Sequence, residues 1–185
     1  MSRKAADFTE RTISSRTVYR GRLLRVLEDD VRLPDGKTVR REYVRHPGAV
    51  AMIPMLDSET VVLVRQYRYP TGRHFHEIPA GKIDAGEEPL QTARRELREE
   101  CGYEAAQWRR LTTLDPCIGY SDERIELFLA RDLRQTAAAP EDGEFLENVV
   151  LRLPEAMRRV KSGAITDVKT IIGIMWVERL FSGTW

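Results

Sequence analysis

The segment between Pro89 and Gly102 constrains this chain more than any other. Leu90, Ala93, Leu97 and Cys101 recur at i, i+3, i+7 and i+11, the apolar stripe of a single α-helix. Pro89 suits the first helical turn, where its missing N–H is not needed, and Gly102 suits a left-handed C-terminal cap. Off that stripe stand Glu96, Glu99 and Glu100, whose i+3 and i+4 spacings bring their carboxylates to one side.

Exposed like charges at these spacings destabilise a helix by roughly 0.2–0.5 kcal/mol per pair. A divalent cation would reverse that repulsion, and clustered carboxylate oxygens favour hard Mg²⁺, with Mn²⁺ as a substitute. For the run Arg94–Glu100 taken alone, an exposed helix laced with ion pairs from Arg94, Arg95 and Arg98 is the favoured reading. The preceding loop, Ala80–Glu87, adds glycines that permit close backbone approach and a further acid near the helix start.

The rest of the chain reads as alternating strands and helices. Arg22–Leu33 and Thr38–His46 flank the turn residues Pro34, Asp35 and Gly36 and predict a hairpin after a polar N-terminal tail. Pro47 and Gly48 mark a hinge, so residues 1–47 are expected to form a small β-rich element and residues 48–185 the main domain. In the latter, Ala49–Met55 and Thr60–Tyr67 predict buried strands, and Trp108–Thr113, Arg124–Ala130 and Glu147–Leu153 predict further ones. Pro154–Lys161 and Asp167–Phe181 predict two more helices, and Thr136–Gly143 a flexible loop.

Composition excludes several classes. The 185 residues suffice for one substantial core. With 30 Lys and Arg against 29 Asp and Glu, the net charge is only +1, which argues against a globally basic nucleic-acid binder. No apolar run approaches a membrane span, and Met1–Glu10 lacks the apolar centre of a secretory signal. A cytoplasmic protein with reduced Cys101 and Cys117 is expected. His46, His74 and His76 have no metal-ligand spacing with cysteine, which favours ordinary structural or surface roles.

The spacing from Gly81 through Glu87, Arg95, Glu96, Leu97, Glu99, Glu100 and Gly102 resembles the Nudix box, all of whose fixed Gly, Glu and Arg positions are filled. Tyr103 stands where an aliphatic residue is usual, at a packing position. Glu77–Gly81 resembles the ADP-ribose pyrophosphatase branch, although His76 precedes it where that branch often has an apolar or aromatic residue. Pro116 with its loop to Glu123, and Gly163–Thr170, also resemble that branch.

The resemblance implies an α/β/α Nudix sandwich with a mixed sheet, and Mg²⁺-dependent hydrolysis of ADP-ribose to AMP and ribose 5-phosphate. It implies metal ligation by Glu96, Glu99, Glu100 and the carbonyl of Ala80, with Arg95 orienting carboxylates and Glu87 supporting the loop or an outer metal. The general base would come from a loop glutamate, first Glu144 and then Glu147. Arg68 would contact phosphate; Arg41, Glu123 and Pro116 would bind substrate. Because N-terminal strands in this branch often cross to a partner subunit, a homodimer is implied. Cleavage of another nucleoside diphosphate sugar such as GDP-mannose, or nucleotide binding without turnover, are the rival readings.

Overall fold

The computed structural model describes residues 5–139 and 143–184. Contacts divide the chain into two compact units, one holding residues to His46 together with Cys117–Glu123, the other holding Pro47–Pro116 and the remainder from Arg124.

In the first unit the expected hairpin forms. Arg25–Arg32 (β2) and Thr38–Arg45 (β3) pair antiparallel from Arg32 opposite Thr38 to Arg25 opposite Arg45. The polar tail, however, is a strand for ten residues: Arg11–Arg20 (β1) adds to the other edge of β2. All ten residues are exposed, so no apolar alternation announces the strand. Its backbone ladder is reinforced across the strands instead, where Arg16 Nε donates to Glu28 at 2.8 Å and Ser14 to Asp30 at 3.1 Å. The Cys117–Glu123 loop is bonded to the end of β3, Val44 N–H donating to Tyr120 O at 2.8 Å.

The second unit contains two hydrogen-bonded sheets, one of them the expected mixed sheet. Ala49–Pro54 (β4) and Thr60–Arg68 (β5) share only a bridge between Met55 and Val61 and then part. Strand β4 lies between Ala80–Lys82 (β7) and Ile125–Gln135 (β9), with Tyr103–Leu114 (β8) beyond β9. The β4–β9 pair is parallel and the others antiparallel, so this sheet is mixed. Strand β5 lies between Arg73–Glu77 (β6) and Leu146–Arg152 (β10), antiparallel to both. Strands β6 and β7 escape sequence reading because one is short and polar and the other three residues long. Both β8 and β9 outrun their apolar segments, extended by polar pairs such as Gln107 with Asp132 at 2.6 Å.

Alternation along β4 and β5 builds a core on each face. Val50, Met52, Val62 and Val64 pack with Ala93, Leu97 and Cys101 of Pro89–Cys101 (α1). Ala51, Ile53, Val61 and Leu63 pack with residues of Leu153–Lys161 (α2) and Val168–Ser182 (α3). Each fully buried Leu, Ile or Val contributes roughly 1.5–3 kcal/mol. Helices thus cover both faces, as the α/β/α expectation requires. No helix among the described residues is long and apolar enough to cross a membrane.

The loop expected to be flexible is partly anchored: Thr136 N–H donates to Gly102 O at 2.7 Å and Ala139 N–H to Glu99 O at 3.1 Å. The remainder of it, residues 140–142, lies outside the described residues. Both cysteines are free thiols.

Candidate active site

Helix α1 is fixed at both ends. Glu88 caps its N-terminus in a reciprocal capping box with Gln91, and Gly102 closes the other end at φ 67°. A side chain at Gly102 would also strike the backbone of Ala138 at 2.8 Å, so only glycine serves there. Burial of the Leu97 stripe then sets the rotation of α1, which turns Glu96 and Glu100 toward β7. Glu100 is 7% exposed, and its Oε2 accepts from the Ala80 N–H at 3.0 Å. Glu96 lies against Gly81 so closely that a Cβ there would fall 1.9 Å from the Glu96 carboxyl carbon and one of its oxygens.

Arg95 hydrogen-bonds to three acids and pairs more distantly with Asp84 at 3.7 Å. Its Nε and Nη2 reach Glu87 at 3.2 and 3.0 Å, while Nη1 reaches Glu96 at 2.8 Å and Glu99 at 3.1 Å. Hydrogen bonds from Arg95, and then from Thr92, draw the Glu87 carboxyl down to about 2. Glu100 is pushed the other way, up to about 8, by burial first and then by the charge of Glu96. Burial also raises Glu96, with Arg95 opposing. Arg94 and Arg98 make no hydrogen bond to these acids, and with Arg95, Glu104 and Trp108 they line a cleft of about 350 Å³.

Pleating separates the two glutamates offered as bases. Leu146 packs toward α1 and Asn148 donates to the Cys101 carbonyl at 2.7 Å, so Glu147 between them points to the opposite face of β10. There it pairs with Arg65 at 3.4 Å and is 67% exposed. Glu144, before the strand, is half-buried, and its charge acts on both Glu96 and Glu100.

Arg68 is less free than a phosphate-contacting residue at a strand end would be. Its Nε and Nη2 bind the carboxylate of Glu77 at 2.8 and 2.9 Å, although the side chain remains 44% exposed. Lys169 on α3 contacts the same carboxylate at 2.5 Å. Desolvation is the largest influence on Glu77 and raises it, but Arg68 and Lys169 together hold it below the ordinary glutamate value. Glu77 and Lys169 carried no role in the sequence reading, since nothing in their spacing shows that residues 92 apart meet.

Pro116 begins the turn after β8. Arg41 and Glu123 belong to the first unit. Arg41 binds Glu10 through Nε and Nη2 at 3.0 and 2.7 Å, while Glu123 stands 3.9 Å from the His46 imidazole.

The donor set around Glu96, Glu99 and Glu100 fits a hard divalent cation. It is all oxygen, and Glu96, Glu100 and Glu144 bear on one another with incompletely balanced negative charge. Among the described residues no three acidic, histidine or cysteine side chains stand in coordinating geometry.

Known proteins resemble this chain in sequence and fold. Residues 45–170 match the NUDIX domain, and residues 10–44 match the nucleoside diphosphate sugar hydrolase N-terminal domain. The chain belongs to the Nudix family. It is 42% identical to the methanol dehydrogenase activator of Bacillus methanolicus, over 92% of this chain and 94% of that protein. It is 40% identical to an ADP-ribose pyrophosphatase of Mycobacterium tuberculosis, over 96% and 87% respectively. A solved structure described as an ADP compounds hydrolase superposes with a TM-score of 0.87 at 24% identity, covering 97% of this chain and 98% of that one, a likeness of fold.

Proposed function

We propose that this protein hydrolyses the diphosphate of ADP-ribose to AMP and ribose 5-phosphate. The observation that carries the reading is the meeting of Glu96 and Glu100 with β7 beside Gly81, in a chain 40% identical to an ADP-ribose pyrophosphatase. Glu96, Glu99, Glu100 and the Ala80 carbonyl would hold Mg²⁺, with Mn²⁺ as a substitute. When bound, such an ion polarises a phosphoryl oxygen and lowers the pKa of water.

The protein's own groups do the remaining work. Arg95 sets the directions of Glu96 and Glu99, and Glu87 anchors Arg95 from the loop. Glu144 is the general base, supported by its nearness to Glu96 and Glu100; the exposed, Arg65-paired Glu147 lacks that support. Arg68 offsets charge developing on the diphosphate. Pro116, Glu123 and Arg41 are assigned substrate-binding roles on the family resemblance, Arg41 exchanging Glu10 for an anionic substrate.

We also read residues 1–47 as a dimer-forming element, supported by the fully exposed β1, and 48–185 as the catalytic domain of a cytoplasmic homodimer whose free thiols suit that compartment. The test is incubation with ADP-ribose and Mg²⁺ followed by chromatography for AMP. No AMP above the metal-free control overturns the substrate, and a higher kcat/KM for GDP-mannose in the same assay would replace it. The 42% identity to a methanol dehydrogenase activator favours a second reading, activation of a methanol dehydrogenase, checked by adding the protein to that enzyme's assay.

A further inference from the structure

Arg68 has two requirements to meet if it is to act on a diphosphate: its guanidinium must be held in one place, yet must not be neutralised there. Glu77 meets the first, binding two edges of the fork and leaving three of its five N–H groups without a partner in Glu77. Left to itself, a carboxylate so placed would cancel the charge it orients.

Lys169 alters that balance. It approaches Glu77 Oε2 at 2.5 Å, the oxygen that also accepts from Arg68 Nη2 at 2.9 Å, so one carboxylate is divided between two cations. The second unit fixes Lys169 in turn. Asp167, which caps α3 by accepting from Thr170 N–H at 3.0 Å, lies 3.1 Å from the Lys169 ammonium. Thr170 Oγ1 accepts from Ile78 N–H at 2.8 Å, tying the residue after Glu77 to the same helical turn. Glu77 and Lys169 are only 3% and 8% exposed. Buried ion pairs are weak contributors to stability, often replaceable by apolar groups without loss, so stability alone is a poor account of this one.

We propose that Glu77 and Lys169 are positioning residues for Arg68: Glu77 orients the guanidinium, and Lys169 shares the charge of Glu77 so that Arg68 keeps its attraction for the diphosphate. This rests on reading Arg68 as the cation that meets the diphosphate.

The test compares kcat and KM for ADP-ribose, at saturating Mg²⁺, in Lys169→Met, Lys169→Arg, Arg68→Gln and the double variant Arg68→Gln/Lys169→Met, each verified by thermal melt. Lys169→Met should lower kcat/KM about 10–100-fold, as loss of a supporting partner commonly does. Lys169→Arg should stay within about threefold of wild type, and Lys169→Met should add less than about twofold to Arg68→Gln, because both act through one group. Losses that multiply in the double variant overturn the proposal, as does a Lys169→Met protein with lowered Tm but unchanged kcat/KM. An Arg68→Gln variant as active as wild type overturns the role of Arg68 and the proposal with it, whereas wild-type protein that forms no AMP overturns the substrate reading instead. If Lys169→Met does not fold, the near-isosteric Glu77→Gln carries the same comparison with Arg68→Gln.

Discussion

Replacing Gly81 with alanine separates the geometry of the acidic site from the stability of the fold. The new Cβ would lie 1.9 Å from the Glu96 carboxyl, whereas ordinary contact begins near 3.4 Å, so the carboxylate must move by about 1.5 Å. It can do so, because it is the far end of a flexible side chain and β7 is extended at Gly81. The lost hydrogen bond to Arg95 is partly exposed and Arg95 retains Glu87 and Glu99, which limits the loss of stability to about 1 kcal/mol. For a chain of this size that lowers Tm by roughly 2–4 °C. Activity should fall much further, since misplacing a catalytic group by about 1 Å costs on the order of 100-fold, equivalent to about 2.7 kcal/mol in the barrier. Steady-state hydrolysis of ADP-ribose and a melt of the same preparation measure both. A Gly81→Ala protein within about threefold of wild type in kcat/KM would refute the idea that Glu96 must sit against β7.

The two candidate bases should part company on substitution. Glu144→Gln is expected to lower kcat by about 10²–10⁴-fold while Glu147→Gln stays within about threefold, and the reverse order in the same assay would reject the assignment. Glu100 makes a pH prediction for metal-free protein. Unfolded, its carboxyl ionises near 4.5; folded, it keeps the proton to about 8, so its contribution to stability declines as pH rises between those values, by up to about 1.4 kcal/mol per pH unit. Glu100→Gln should therefore gain stability relative to wild type across that interval in urea unfolding with chelator present. Parallel pH profiles for the two proteins would show that the carboxyl is not desolvated in the folded state.

Much of the site was legible without coordinates because it is local. One helical stripe, a first-turn proline and a C-terminal glycine cap specify α1 from Pro89 to Cys101, and spacing alone brings Glu96, Glu99 and Glu100 to one side of it. The hairpin was legible through its turn residues. Strand β1 was not, because periodic burial is what sequence patterns report and none of its residues is buried.

What the sequence determined by itself is thus the acidic helix and its glycine-bearing approach, consequences of interactions a few residues apart, while the layered class of the fold followed from the resemblance to the Nudix family. Tertiary structure alone decided what those acids meet. Burial on both faces of β4 and β5 brings Glu100 to the Ala80 N–H and Glu96 to Gly81, and the pleat of β10 turns Glu147 away from α1. Only the packing of α3 against β6 brings Lys169 to Glu77 and thereby sets the surroundings of Arg68. Charge on such groups depends on distance and desolvation across the fold, quantities that no count along the chain contains.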